Sequence, residues 1–358
     1  MSREHEIEKK YGLFIKHKRR FLWLAVIVTL LLGITGLALG PASISFRELL
    51  CVFTTGDSQF INNIILNIRL PRVLAGIVTG IALAVSGVVM QSILRNPLGS
   101  PFTLGISSSA AFGAAFAIIV FGAGGMYSGS SDAVIIANPY LVTISAFFWS
   151  LVACFLILYV AKRKGVSPQN MILTGIITGS LFSALTTGLQ YVADDIELAA
   201  IVFWTFGDLS KGGWKELILQ TIILLPVLIY FYRNRWNYNV LDSGDETAAS
   251  LGVNFAKLRL TGMIAASLAT ATIVSFYGII AFVGLVVPHM ARRLIGNDER
   301  FLIPGAAISG AAFMVGCDII ARTIISPMVL PVGILTSVIG APLFVLLLLR
   351  GKEVLHWK

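Results

Sequence analysis

The sequence predicts an all-α, polytopic membrane protein with about ten transmembrane helices, and three observations predict it. Apolar residues make up 56% of the 358 positions and charged residues 13%, with a mean hydropathy of +0.86. Soluble domains run about 45–50% apolar and about 25% charged. Apolar runs close to the ~20 residues that a bilayer requires recur along the whole chain. The basic residues are also sorted, 21 falling on one side of the expected membrane and 6 on the other. Cytoplasmic loops carry the Lys/Arg excess, so both termini are expected in the cytoplasm and the number of crossings is even. The net charge of +9 therefore reports membrane orientation, and no nucleic-acid partner is implied.

The elements follow in order. Residues 1–20 form a basic cytoplasmic segment ending in Lys16-His-Lys-Arg-Arg20, and the first span covers 21–40. That run exceeds the ~7–15 residues of a secretory h-region, and Pro41 follows the small Ala38 and Gly40, so it reads as an uncleaved span. The remaining spans are expected at 70–93, 102–121, 139–161, 169–192, 215–232, 259–281, 282–294, 302–323 and 332–349. The eighth is short and carries Pro288. The third opens among Pro97, Gly99 and Pro101, where irregular backbone must be buried in protein or line a cavity. Residues 21–350 thus form one transmembrane domain, with a cytoplasmic loop at 233–258 and a cytoplasmic tail at 351–358.

Several function classes are disfavoured. There is no G-x-x-x-x-G-K-[ST] loop to cradle nucleotide phosphates, no activated-serine elbow and no H-E-x-x-H. Cys51, Cys154 and Cys317 make neither a disulfide framework nor a zinc spacing, so no metal site is expected. No acidic residue sits clearly in mid-span, which argues against an ion-coupled secondary transporter, since those keep carboxylates or histidines deep in the membrane. Asp318 and Arg322 are spaced i, i+4 and can pair on one helix face.

Four constellations remain as candidates. Arg69-Leu-Pro-Arg72 either anchors a helix among headgroups or, with Arg322, offers forked guanidinium groups to carboxylates of an outside partner. Arg95, Asn96 and Pro97 form either a tight turn or an inner gate. In the fifth span Gly175, Gly179 and Ser183 repeat every four residues, a spacing that lets helices approach closely. Ser180, Ser183 and Thr187 give that span a hydroxyl face suited to a polar pathway. In the loop, Asp242 or Ser243 can cap a helix whose first turn holds Asp245 and Glu246, where the helix dipole favours anions. Gly252 ends that helix and Asn254 caps a second short one. Such structure outside the membrane reads as a peg for a cytoplasmic partner.

These segments, in this order, resemble the FecCD-type permeases of ATP-binding-cassette importers for iron(III)-siderophores, haem and cobalamin. The resemblance rests on Arg69-Leu-Pro-Arg72, Arg95-Asn-Pro-Leu98, Gly244-Asp-Glu-Thr-Ala248 with Leu251-Gly252, and Ala281-Phe-Val-Gly-Leu-Val-Val-Pro-His289 with Arg292. It rests also on Asp318 with Ala321-Arg322, and on Pro331-Val-Gly-Ile-Leu-Thr336 with Gly340-Ala-Pro342. It implies ten spans, a second permease copy or homologous permease, two ATPase subunits that hold ATP and Mg²⁺, and an extracytoplasmic solute-binding protein. It implies no cofactor and no catalytic residue in this chain. By resemblance, Arg69, Arg72 and Arg322 dock the binding protein, and Asp245, Glu246, Ala248, Leu251 and Gly252 couple to the ATPase. Gly175, Gly179, Ser180, Ser183 and Thr187 line the pathway in the fifth span. Three positions depart from the family pattern: Ala249 for a common arginine, Asp208 for a serine and Gly99 for an alanine. The first bears on ATPase contacts, and the second adds an acid near the arginines.

Overall fold

The computed structural model describes residues 2–41, 44–54, 59–126, 134–136 and 138–349. The expected tail at 351–358 lies outside them. Helix α1, Ser2–Ala38, joins the basic segment and the first span in one continuous rod. Its large apolar side chains, Trp23, Leu24, Leu30 and Leu31 among them, are exposed, as a lipid-facing helix requires. Two short helices follow, α2 (Phe46–Thr54) and α3 (Gln59–Asn63), and a π turn at Ile64–Arg69 runs directly into α4, Leu70–Leu94.

Helix α4 is the hub of the bundle. Twenty of its 25 residues are buried, which explains why its sequence is apolar or small all round rather than amphipathic. Against it and one another pack α9 (Trp214–Arg233), α12 (Phe255–Tyr277), α13 (Val283–Ile295) and α14 (Glu299–Thr323), forming the main apolar core. Helices α5 (Ile106–Val120), α6 (Pro139–Lys164) and α7 (Pro168–Val192) form a second group, stitched by a cluster of Phe112, Trp149 and Phe182. Helix α7 starts on a Ser167 cap with Pro168 in its first turn, the position where a missing N–H costs nothing. The tenth membrane-type helix is α15, Val332–Leu349.

Seven helices have the length and apolarity to cross a bilayer, and α5 and α15 are shorter apolar helices. With the 13-residue α13 they account for all ten expected spans. Two boundaries deserve note against the sequence reading. The third span begins at Ile106 rather than 102, because Pro101 to Gly105 are spent in turns. The seventh ends at Tyr277 rather than 281. Residues 278–282 are irregular but held by a parallel bridge between Phe206 and Ile279, with Ile280 and Ala281 buried. Irregular backbone at membrane depth survives when protein covers it in this way. An additional helix, α8 (Asp195–Thr205), was not anticipated. Asp194 and Glu197 form a reciprocal capping box at its start, a signal legible in Asp194-Asp-Ile-Glu197. A two-stranded ribbon, Gly124–Met126 against Val134–Ile136, joins α5 to α6.

Candidate functional site

The five pathway candidates come together. Gly175, Gly179, Ser180, Ser183 and Thr187 line an open groove of about 640 Å³ on α7, shared with Phe102, Thr103, Gly105 and Ser108 from the start of α5. The two glycines and the three hydroxyls do different work. Gly105, at φ +80°, lies so near α7 that a Cβ there would stand 2.5 Å from the Gly179 Cα, and one on Gly175 would stand 2.5 Å from Leu104 Cδ2. The small-residue stripe thus seats the 104–105 turn, while Ser180, Ser183 and Thr187 face the open side. Phe102, Thr103 and Ser108 were missed because they precede or begin α5, far from α7 in the chain, and spacing within α7 carries no trace of them.

The cytoplasmic-loop reading is corrected in its helix boundaries. Two helices do occupy it, but they are α10 (Arg235–Asp242) and α11 (Asp245–Ser250). Asp242 ends the first instead of capping the second. Gly244, at φ +121°, precedes Asp245, a backbone that residues with a Cβ rarely adopt. Asn254 caps the long α12, accepting from Lys257 N at 2.9 Å. Gly252 closes α11 as expected: its N–H reaches Ala249 O at 3.0 Å while Val253 N reaches Ala248 O at 2.9 Å, the paired bonds of a Schellman stop. Glu246 is exposed and Leu251 is 64% exposed, whereas Ala248 is buried. Ala249, one of the departures from the family pattern, is exposed there too.

Asp245 does not face outward with Glu246. Its carboxylate takes both Arg259 Nη1 and Nη2, at 2.7 and 2.6 Å, and Arg95 Nη2 at 2.9 Å. Burial alone would raise its pKa, but the hydrogen bonds and charge of Arg259, with the charge of Arg95, hold it below the ordinary carboxylate value. Arg95 caps α4 in the left-handed region, φ 45° and ψ 41°, an uncommon backbone for a residue with a Cβ. Of the two readings of its neighbours, the tight turn is present: Asn96 accepts from Leu98 N at 2.9 Å with its side chain and from Gly99 N at 2.9 Å with its carbonyl, beside Pro97. Sequence reasoning did not single out Arg259, the buried partner of Asp245, although a guanidinium one turn into an apolar helix is itself a signal. Asp242 lies nearby, and burial pushes its pKa above the carboxylate range against the pull of Arg292.

At the far end of the bundle the three candidate docking arginines are buried and turned inward. Asp318 meets Arg72 Nε at 2.8 Å and Arg322 Nε at 2.9 Å. The i, i+4 pairing expected of Asp318 and Arg322 is present. Arg322 also donates to Leu39 O and Gly36 O, and Arg69 to Leu37 O and Ala38 O at 2.8 and 2.6 Å, so both hold the last turn of α1. Asp208, the acid that departs from the family pattern, accepts from Arg72 at 3.2 Å and caps the 3₁₀ turn Leu209–Lys211. The reading of Arg69, Arg72 and Arg322 as an open patch is therefore corrected: their forks are engaged within the chain. Cys154 and Cys317 are buried small hydrophobes, and no cluster of three metal-ligating side chains occurs among the described residues.

Ten membrane-type helices around a buried hub, with a hydroxyl-lined groove on one face and a helical peg at one end, define a multi-pass membrane permease. The chain belongs to the FecCD transport family, whose model matches residues 27–350, and it is an ABC importer permease of that family. It is 50% identical, over 96% of its length and 98% of the relative's, to a Methanocaldococcus jannaschii protein assigned as an ABC transporter permease. It is 36% identical to the hemin transport system permease protein of Yersinia pestis, covering 94% and 97% of the two chains. With the vitamin B12 import system permease protein of Vibrio vulnificus the identity is 32%, over 95% and 98%. Among solved structures it matches an inward-facing transporter assigned to the metal-chelate type, with TM-score 0.81, 30% identity and coverage of 93% and 99%.

Proposed function

We propose that this chain carries a bulky metal chelate, an iron(III)-siderophore or a haem- or cobalamin-like complex, inward across the cell membrane by alternating access. The single observation that carries the reading is the groove of about 640 Å³ on α7, lined by serine and threonine hydroxyls without a charged side chain. A hydroxyl wall hydrogen-bonds a passing polar cargo transiently, and no ion pair holds it back. Relatives named for hemin, iron chelatin and vitamin B12 transport support this reading.

In this reading the α11 end faces the cytoplasm with both termini, and the groove lies against a second permease copy. ATP and Mg²⁺ belong to an ATPase partner, because this sequence has no phosphate-cradling loop of its own. The exposed Glu246 and Leu251 form the tip that enters the ATPase. A binding protein delivers cargo at the far end, where the engaged arginines shape the surface from beneath instead of forming its contacts.

Glu246→Arg combined with Leu251→Asp tests the orientation of the peg. The double variant is expected to insert normally and to lose copurification of the ATPase in mild detergent. Retention of the ATPase at the wild-type level would overturn the peg.

A further inference from the structure

Asp245 sits where α11, the end of α4 and the start of α12 meet. Its oxygens are shared between Arg95 and Arg259, at 2.6–2.9 Å. Arg259 is fully buried and reaches in two further directions. Its Nε donates to Ile93 O at 3.0 Å, in the last turn of α4, and its Nη1 to Val166 O at 3.2 Å. Val166 immediately precedes Ser167, the cap of α7, the helix that carries the groove. Arg95 meanwhile clasps Leu241 O, at the end of α10, through Nε at 3.3 Å and Nη2 at 2.9 Å.

From these contacts we infer that Asp245, acting through Arg259, is the positioning residue that transmits displacement of α11 to the start of α7 and the inner end of α4. The inference rests on the reading of α11 as the ATPase-facing peg. The peg has one short helix and no other side-chain tie of comparable strength: Glu246, Thr247, Ala249 and Ser250 are exposed, and Ala248 contributes only a methyl group. A bidentate Arg–carboxylate pair resists rotation as well as separation, so a shift of α11 drags the guanidinium plane with it. The same plane holds the Val166 carbonyl. On the other side two residues, Ser243 and Gly244 at φ +121°, separate the peg from α10.

Spin-label distances in the full complex with ATPase and binding protein test this without knowledge of the cargo. Labels at Arg233 and Ser250 report the position of α11 against α9, and labels at Arg233 and Gln169 report the start of α7, all three positions being exposed. The native cysteines are replaced for labelling, and Mg²⁺-ATP with vanadate serves as the nucleotide probe. In the wild type both distances should shift with nucleotide. In Asp245→Asn, which keeps the shape and removes the charge, the Ser250 distance should still shift while the Gln169 shift is lost. Asp245→Glu, which keeps the charge, should restore it. Undiminished movement of Gln169 in Asp245→Asn would overturn the transmission role. So would loss of both shifts in that variant, since Asp245 would then act in docking or folding. Absence of any Ser250 shift in the wild type would instead show that α11 is not the driven peg, and the inference would fall with that reading.

Discussion

The two ends of the bundle are tied by the same chemistry, two arginines on one aspartate, yet the ties differ in burial and in what they join. At the far end Asp318, with a side chain 1% exposed, holds Arg72 of α4 and Arg322 of its own helix α14. Arg322 and Arg69 then pin the carbonyls of α1. At the α11 end Asp245 is 34% exposed and joins a six-residue helix to the ends of α4 and α12. The buried knot fuses long helices into one block. The half-exposed knot connects a small element to that block and remains within reach of solvent. A partly exposed ion pair gains little net stability, so under the transmission proposed for Asp245 the direction of this tie matters more than its strength.

Breaking the far-end knot is the most severe test of this contrast. Asp318→Asn leaves Arg322 buried without its carboxylate and Arg72 with Asp208 alone, and removing one partner of a buried pair costs about 3–5 kcal/mol. The expected outcome is a large fall in midpoint in denaturant melts of the solubilised chain, with poor insertion. If Asp318→Asn melts like the wild type, the far end is not the rigid block described here.

How much of this was legible in the sequence divides along the same line. The ten apolar runs, the i, i+4 pair at Asp318 and Arg322, and the hydroxyl face of α7 are local patterns of period 3.6, and they reappear in the structure at their expected places. The partners of those residues were not legible. Arg72 and Asp318 are 246 positions apart, and Arg259 and Ile93 are 166 apart. Nothing in the local spacing of one sequence encodes such a meeting. An arginine written at a membrane edge reads as open to a partner, and only the packing of α1 over the end of α14 shows that Arg69, Arg72 and Arg322 are engaged. The loop helices shifted for a similar reason: Asp242 has the composition of a cap, but burial beside Arg292 claims it.

A second charge at the α11 end sharpens the comparison through pH. Asp298 caps α14 and accepts from Arg300 at 2.6–3.1 Å and from Asn239 at 3.0 Å. Burial pushes its pKa upward, but these hydrogen bonds and the charge of Arg300 outweigh it and bring it from 3.8 to about 2. A depressed folded value means that stability is present above about pH 4 and is lost as pH falls through about 2. The contribution is at most about 2 kcal/mol. Asp298→Asn keeps a competent cap, so it should lower stability at pH 7 and flatten the decline between pH 4 and pH 2. An acid limb identical to wild type would place the sensitive charge elsewhere.

The smallest effect is expected at Asn254, and it bears on whether the start of α12 is held by its cap or by the Asp245 knot. Its side chain accepts from Lys257 N at 2.9 Å at the beginning of the helix that carries Arg259 one turn later. Replacing an N-cap by alanine costs about 1 kcal/mol. Arg259, bonded to Ile93 O, Val166 O and Asp245, should hold the helix in place without the cap. Asn254→Ala is therefore expected to lower the melting midpoint slightly and to leave nucleotide-dependent movement at Gln169 intact. If this one hydrogen bond proves as costly as the loss of Asp318, the α11 end is as rigidly built as the far end, and the difference in burial between the two knots has no mechanical meaning.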